Sequence, residues 1–421
     1  MGGGLFELIK APKGMKDILP AHEAAWRFVE SEARDVAQLC GCHEIRTPVL
    51  EYTELFDRGV GSGTDIVDKE MYTFEDRAGR SLTLRPEGTA GVARAFIESG
   101  LAAGPQPVKL YYFAPLFRYE RPQSGRLREH HQFGVEVFGA VDAVADAEVI
   151  WMAHEVLLRV GLTKTRLMVN SIGCERCRPA YVDALRAYLR KHKSELCSTC
   201  GERIENNVLR VLDCKCAQCQ DVIENAPGIS DYLCDDCQLH IAALKRYLEA
   251  LDMAYTVEPR LVRGLDYYTR TVFEFTAGDG LGTVCGGGRY NHLVQQLGGP
   301  DLPAVGFGMG VERVLLAMSL AGVHAPPPER LDLFVAVHGG MEERVAALKL
   351  ARRARGLGMT VDVNVVERSL KAQFKYAGKV HARYVAVIGE REVGNGTVVL
   401  KNMETGEEVV ARRDGALDLV R

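Results

Sequence analysis

The sequence predicts an α+β protein with a partly antiparallel sheet flanked by helices, a helical insertion and a C-terminal α/β domain. Three observations carry this prediction. Two strand-like segments are joined directly by a polar loop at 121–128, as antiparallel neighbours are. Residues 173–252 are helical in pattern, charged and rich in cysteine, which indicates an insertion. Beyond a proline-rich linker, strand and helix patterns alternate, which is typical of a small domain with a partly parallel sheet.

Bulk properties limit the class of protein. A chain of 421 residues is too long for one ordinary core, so two or three domains are expected. With 47% hydrophobic and 26% charged residues it reads as soluble and globular, and a net charge of −4 provides no overall attraction for nucleic acid. No apolar run reaches membrane-spanning length and the start lacks a signal-peptide pattern, so we expect a cytoplasmic protein with no membrane partner.

Composition places the domain boundaries. The first domain is expected at 1–325, interrupted by the insertion at 173–252, and the last domain at 331–421. The linker at 326–330 lies in a proline run that follows Ala325.

Periodicity predicts the elements in order. An apolar stripe predicts an amphipathic helix at 21–40, ended by Gly41. The other predicted elements are an extended segment at 45–48, strands at 255–258, 271–275, 331–337, 360–365 and 384–388, and helices at 314–320, 342–355 and from Ser369.

A turn near residue 86 is expected to direct polar groups into a cleft. Pro86 disfavours helix at Arg85, and a helix is predicted from Thr89 to about residue 100. Glu87 and Thr89 would then face the cleft. The alternative interpretation makes Thr89 a plain N-cap, and the two roles are compatible.

The segment 129–137 has two distinct faces. Period-2 geometry puts His130, Gln132, Gly134 and Glu136 on one side and His131, Phe133, Val135 and Val137 on the apolar, core-facing side. The preceding strand is expected to offer Arg118 and Glu120 on one face, and the loop carries Arg121, Arg126 and Arg128. Guanidiniums beside carboxylates suit a site for a phosphate chain and an ammonium. A solvated hairpin with surface ion pairs is the alternative.

Nine of the twelve cysteines lie in the insertion. They form four C-x-x-C pairs and one extra residue: Cys174/Cys177, Cys197/Cys200, Cys216/Cys219, Cys234/Cys237 and Cys214. This spacing suits tetrahedral zinc, and four pairs would close one or two structural sites. Unligated cysteines, several simply buried, are the alternative.

Several segments in order resemble those of class II aminoacyl-tRNA synthetases, and their details resemble the histidyl-tRNA synthetase family. They are KGMKDILP at 13–20, RTPVLE at 46–51, RPEGTA at 85–90, FRYE at 117–120 with RLREHHQFGVE at 126–136, RGLDYYT at 263–269, GGGRY at 286–290 and GFGMGVER at 306–313. Each is weak or moderate alone, and the ordered set is specific. The resemblance covers nearly the whole chain.

The resemblance implies a class II catalytic core, an anticodon-binding last domain, and activation of L-histidine by ATP with Mg²⁺ before transfer to histidine tRNA. It also implies that the protein forms a homodimer through the segment at 46–51, but it does not predict a zinc site. The tRNA contacts it suggests are the loop at 121–128 and, in the last domain, Lys371, Lys375 and Lys379. An ordinary charged helix face is the alternative interpretation of the three lysines.

By resemblance, Arg263 and Arg118 are catalytic, meeting the α-phosphate and the histidine carboxylate. The residues implied to bind histidine are Glu87, Gly88, Thr89, Arg118, Gln132, Glu136, Arg263, Tyr267 and Tyr268. Those implied to bind ATP are Arg118, Glu120, Arg126, His130 and Arg313. The run Gly286–Gly288 is expected beneath the substrate, with a tight turn as the alternative.

His130 departs from the family, which usually has a phenylalanine that stacks on adenine. A neutral imidazole still stacks, and a protonated one would add charge beside ATP, so we expect ATP binding to weaken at acid pH.

Two alternative functions are a catalytically silent paralogue that regulates the first enzyme of histidine biosynthesis, and a class II synthetase for proline, glycine or threonine. The segment at 263–269 and the last domain argue against the first, and Glu136 with the segment at 263–269 argues against the second.

Overall fold

A computed structural model describes residues 8–61, 64, 66–278, 281–327 and 330–420. The chain divides into two compact units, Met1–Pro326 and Pro327–Arg421. Residues 328 and 329 of the predicted linker lie outside the described residues. None of the described helices is both long and apolar enough to cross a bilayer.

The first unit contains eleven strands and ten α-helices among its described residues. The strands are β1 His43–Glu44, β2 Leu50–Tyr52, β3 Tyr72–Glu75, β4 Ser81–Leu84, β5 Val108–Phe117, β6 Glu129–Phe138, β7 Thr165–Ser171, β8 Tyr255–Val257, β9 Thr269–Ala277, β10 Thr283–Arg289 and β11 Ala304–Gly310. The helices are α1 Pro20–Leu39, α2 Thr53–Phe56, α3 Thr89–Glu98, α4 Ala143–Arg159, α5 Arg178–Lys191, α6 Ser198–Asn206, α7 Ala217–Glu224, α8 Asp235–Ala250, α9 Leu293–Gln296 and α10 Val311–Leu320.

Eight of these strands form the main sheet, in the order β1-β5-β6-β11-β10-β9-β7-β8. The pairs β1/β5 and β7/β8 are parallel and the others antiparallel, which confirms the predicted partly antiparallel sheet. A separate three-stranded sheet has the order β2-β4-β3.

The core of this unit lies between one sheet face and the helices α1, α4, α8 and α10. Phe133, Val135 and Val137 of β6 point into it, as predicted from their parity. Helix α1 buries Val29 and Ala33 there, which confirms the amphipathic prediction. The even-numbered residues of β6 therefore lie on the opposite face, where the candidate site forms.

One local prediction was wrong. Strand β5 ends at Phe117, so Arg118 and Glu120 do not alternate on a strand face. The chain leaves the ladder there because Tyr119 N donates to Glu70 O at 2.7 Å, outside the β5/β6 pair. At 286–288 the alternative interpretation, a tight turn, does not hold, because the glycines form the middle of β10.

The second unit contains β12 Leu333–His338, β13 Val361–Val363, β14 Tyr384–Gly389, β15 Thr397–Asn402 and β16 Glu408–Arg412, with α11 Met341–Gly356, α12 Leu370–Lys379 and α13 Glu390–Asn395. Its sheet has the order β13-β12-β14-β15-β16. β12 pairs in parallel with β13 and β14, which confirms the α/β prediction. Alternate residues of β12 pack on α11 and on α12, so helices cover both faces. The antiparallel β15 and β16 were not predicted.

Candidate active site

Glycines on three neighbouring strands form a flat patch on the sheet face opposite the α1/α4 layer. Gly134, Gly308 and Gly286 pair directly across β6, β11 and β10. A Cβ atom at any of them would lie less than 3.0 Å from a side chain that crosses the patch. Those side chains are, in the same order, Tyr112, Gln132 and Arg263. The missing side chains thus let polar groups lie against the backbone.

Glu136 is a fully buried carboxyl surrounded by hydroxyl groups. Its Oε1 accepts from Thr89 Oγ1 at 2.7 Å and from the Tyr112 hydroxyl at 3.4 Å, and its Oε2 accepts from the Tyr290 hydroxyl. Burial raises the pKa of Glu136 to about 8, against the lowering effect of the Tyr290 and Thr89 hydrogen bonds. At pH 7 the group is therefore mainly a neutral acid with a proton to donate.

Glu87 holds the start of α3. Its Oε2 accepts from Thr89 N at 2.8 Å and its Oε1 from Ala90 N at 2.7 Å. Burial raises its pKa, while these amides and Arg118 favour the charged form. Thr89 is the first helical residue rather than the N-cap, so the plain N-cap interpretation was wrong. The N-cap is Gly88, where a Cβ would strike the Tyr112 ring.

Two buried tyrosines complete this polar cluster from the loop before β9. The Tyr267 hydroxyl donates to Glu87 Oε2 at 3.4 Å, and its ring lies 4.7 Å from that of Tyr268 and 5.4 Å from that of Tyr290. Burial raises the pKa of Tyr268 to about 12, and nearby Arg263 opposes the shift. Seven of the residues implied to bind histidine thus come together: Glu87, Gly88, Thr89, Gln132, Glu136, Tyr267 and Tyr268.

Arg263 extends the cluster across the sheet. Its guanidinium lies on Gly286, one strand away from Gly308 and the Gln132 side chain above it. Nη1 donates to Glu274 Oε1, and the buried Nε has no partner among the described residues. A buried donor without a partner is costly, so Nε is poised for a ligand.

Arg118 lies between Glu87 and His130. Its Nε donates to Pro86 O at 2.8 Å, and its charge lowers the pKa of both neighbours. Burial is the larger effect at His130 and, with Arg118, lowers the pKa of His130 to about 3. A ring with this pKa stays neutral between pH 5.5 and 8, which argues against protonation of His130 as a cause of weaker ATP binding in acid.

A second group of charges surrounds Arg313 at the start of α10. Arg313 donates through Nη2 to Leu281 O, and its buried Nε has no partner among the described residues. Burial and the charge of Arg126 lower its pKa, while Glu274 and Glu120 oppose this. Arg126 itself pairs with Glu120 at 3.5 Å. Two guanidiniums that repel each other favour an anion between them.

Three site residues were missed from the sequence: Tyr112, Tyr290 and Glu274. Tyr112 reaches Gln132 Oε1 at 3.3 Å as well as Glu136, and Glu274 joins Arg263 to Thr283, whose hydroxyl donates at 2.5 Å. Two of them had a usable signal: Glu274 is a carboxylate between Phe273 and Phe275 in an apolar strand, and Tyr290 ends the glycine-rich segment at 286–290.

The insertion brings eight cysteines into two groups, Cys174, Cys177, Cys234 and Cys237, and Cys197, Cys200, Cys214 and Cys219. The predicted pairing of Cys216 with Cys219 was wrong, because the second group uses Cys214 and Cys216 is exposed.

Comparisons with known proteins agree over nearly the whole chain. A family model described as histidyl-tRNA synthetase matches residues 14–314, and one described as anticodon binding domain matches 333–421. The histidine--tRNA ligase of Caldanaerobacter subterraneus subsp. tengcongensis is 54% identical, covering 95% of this chain and 96% of that protein. That of Clostridium botulinum is 50% identical over the same shares. The apo histidyl-tRNA synthetase of S. aureus superposes with a TM-score of 0.82 at 37% identity, covering 98% of this chain and 100% of that one.

Proposed function

The chain belongs to the histidyl-tRNA synthetase family and is a histidine–tRNA ligase, and we propose that the polar cluster on the glycine patch is its active site. The enzyme activates L-histidine with ATP to histidyl-adenylate and pyrophosphate, then transfers histidine to the 3′ end of its tRNA. The observation that carries the site assignment is that a buried neutral carboxyl, Glu136, and a half-buried guanidinium, Arg263, lie on one sheet face, both close enough to Tyr268 to shift its pKa.

Glu136 and Tyr268 would select the imidazole ring. A protonated Glu136 donates to an unprotonated ring nitrogen, and the Tyr268 hydroxyl serves the other nitrogen. An apolar analogue would leave these buried groups without partners, which disfavours it strongly. Glu87, Gln132 and Thr89 supply the acceptors for the substrate ammonium.

Arg263 and Arg118 would carry the chemistry of activation. The histidine carboxylate attacks the α-phosphate and pyrophosphate leaves, so negative charge concentrates at the reacting centre. Fixed guanidiniums stabilise that charge without reorganising. The Nε of Arg263 provides a donor that no described residue accepts from.

Arg313, Arg126 and Glu120 would hold the phosphate chain of ATP, with the neutral His130 ring against adenine. Mg²⁺ would enter with ATP and neutralise phosphate charge. The carboxylates of Glu120 and Glu274 are the oxygen ligands that suit it here.

The second unit would bind the anticodon region of tRNA. Lys371, Lys375 and Lys379 are spaced four residues apart on α12, and all are exposed, whereas Gln373 and Ala377 of the same helix are buried. Lysines on one helix face suit phosphate contacts that are blind to sequence. The loop at 121–128 would meet the acceptor end, and the protein would act as a cytoplasmic homodimer.

Amino-acid-dependent ATP–pyrophosphate exchange tests the site. L-histidine, and not proline, glycine or threonine, is expected to support exchange. Arg263→Ala should lower kcat by about 100-fold or more, the magnitude typical of one transition-state donor. The control is Arg260→Ala, three residues before Arg263, which removes a partly exposed arginine paired with Glu258. Equal losses of kcat in the two variants would show that Arg263 has no specific role in the reaction.

A further inference from the structure

The insertion contains two sets of converging thiols. Cluster A is formed by Cys174, Cys177, Cys234 and Cys237, and cluster B by Cys197, Cys200, Cys214 and Cys219. Within each cluster the four Sγ atoms lie within 4.8 Å of one another. The sequence alone left open whether the cysteines bind metal or are simply buried.

The sulfur separations match a single tetrahedral metal ion. In cluster A the Sγ atoms of Cys174 and Cys177 lie 3.7 Å apart, those of Cys174 and Cys234 3.7 Å, and those of Cys177 and Cys237 3.8 Å. A Zn–S bond of about 2.3 Å in a tetrahedron gives an edge of about 3.8 Å between sulfurs. In cluster B, Cys197 and Cys214 lie 4.0 Å apart.

Other arrangements of the thiols fit less well. A disulfide requires about 2.05 Å between sulfurs, and all of these cysteines are free. A multi-iron cluster would separate its cysteines further, because each binds a different iron. Burial alone does not explain the convergence either, since Cys174, Cys197, Cys214 and Cys234 are only partly buried.

The surroundings of the thiols favour their ionised, metal-binding form. Cys177, Cys197 and Cys234 sit at the N-caps of α5, α6 and α8, where the helix dipole favours negative charge. Backbone amides donate to sulfur in both clusters, from Cys174 N to Cys177 Sγ at 3.1 Å and from Cys197 N to Cys219 Sγ at 3.3 Å. Such bonds orient ligand atoms around a metal.

We propose that clusters A and B each bind one structural Zn²⁺, two per chain. Four thiolates around one ion form a closed site with no position for substrate, so the metal stabilises structure and takes no part in catalysis.

Cluster A would also support the histidine pocket. It joins the segment after β7 to the start of α8, 60 residues later in the chain. Arg178, next to Cys177, donates through Nη2 to Tyr268 O and through Nε to Ile172 O at 3.1 Å. Asn207, between Cys200 and Cys214 of cluster B, donates to Asp266 Oδ1 and Oδ2, both at 3.2 Å, whereas Arg178 holds Tyr268 itself. The loop at 263–268 is therefore held from the insertion side. The expected effect of cluster A on histidine binding rests on the proposed function, whereas the expected zinc content does not.

Metal analysis of protein purified without chelator tests the proposal, with Cys216 as the matched control. Wild type is expected to contain two zinc ions per chain, Cys234→Ser one and Cys214→Ser one. Cys216→Ser should keep two, although Cys216 has C-x-x-C spacing to Cys219 and lies two residues from Cys214. Histidine KM should rise more in Cys234→Ser than in Cys214→Ser.

A second measurement does not depend on the folding of variants. Native wild type is treated with a thiol alkylator with and without chelator and then mapped by mass spectrometry. The eight cluster thiols should be protected until metal is removed, while Cys216 reacts in both samples. Clearly fewer than two zinc ions per chain in wild type, iron in their place, or equal metal loss in Cys214→Ser and Cys216→Ser would overturn the two sites. If wild type contains two zinc ions but the histidine KM of Cys234→Ser is unchanged, the two metal sites stand and only the proposed role of cluster A in supporting the histidine pocket is overturned.

Discussion

At Glu136, burial and hydrogen bonding act in opposite directions on one carboxyl, and burial is stronger. The pKa is raised from 4.5 to about 8, so the folded protein binds this proton more tightly than the unfolded chain. The resulting stabilisation is complete below pH 4.5 and is lost as the pH rises to 8. The full shift corresponds to on the order of 5 kcal/mol.

Glu136→Gln is expected to remove this pH dependence, because an amide has the shape of the neutral acid but does not titrate. The melting temperature of the variant relative to wild type should rise steadily from pH 5 to pH 8. Differential scanning fluorimetry measures it, with the exposed Glu98→Gln as control. A constant difference across the range would contradict the raised pKa.

His130 gives the opposite case, a histidine kept neutral. Because its pKa is about 3, the ratio of ATP KM values for wild type and His130→Phe should stay constant between pH 5.5 and 8. Pyrophosphate exchange at saturating histidine measures both values. A ratio that rises threefold or more at pH 5.5 would mean that the ring protonates in the folded enzyme.

The residues of the site were predictable to different degrees. Parity alone put Gln132 and Glu136 on one face. Their partners Tyr112 and Tyr290 come from β5 and the end of β10, and no spacing rule relates positions 24 and 154 residues away from Glu136. Cys216 shows the reverse error. Its spacing to Cys219 is ideal, but the fold selects Cys214.

At the scale of elements, the glycine patch explains why two of its three strands were hard to predict. β10 and β11 contain few side chains that could show a period of two, so the run at 286–288 also read as a turn. The pairing of Gly134, Gly308 and Gly286 is visible only once the registers are known. Amphipathic α1 and the α/β order of the second unit were predictable because their periodicity is carried by large apolar residues.

Gly308→Ala should disturb Gln132 specifically. The added Cβ would lie less than 3.0 Å from the Gln132 amide, so that side chain must leave the patch. We expect histidine KM to rise by about tenfold or more, equivalent to one lost hydrogen bond of about 1.4 kcal/mol, with little change in ATP KM. Gly310→Ala on the same strand is the control, since its Cβ would meet its nearest neighbour at an ordinary 3.6 Å. Similar effects in both variants would indicate general strain in β11.

At the scale of the whole molecule, the small sheet β2-β4-β3 has an inverted burial pattern, with apolar side chains on its exposed face and polar ones on its buried face. Its registers align six large apolar or aromatic residues on one face: Leu50, Tyr52, Leu82, Leu84, Tyr72 and Phe74. Tyr52 is 52% exposed and Phe74 47% exposed, whereas the polar Glu51 and Thr83 of the other face are buried. A sheet normally turns its apolar face inward, so this face is suited to a second copy of the chain. The segment at 46–51, which resembles the dimer-forming motif of the family, runs into the first strand of this sheet, β2.

Phe74→Glu is therefore expected to convert a dimer into a monomer, because the interface would have to bury an unpaired charge. Light scattering after size-exclusion chromatography should give twice the mass of one chain for wild type and close to one chain mass for the variant. Leu320→Glu is the control, since Leu320 is 71% exposed at the end of α10 and should stay dimeric. A monomeric wild type would show that this face serves another partner, and a dimeric Phe74→Glu would place the dimer contact elsewhere.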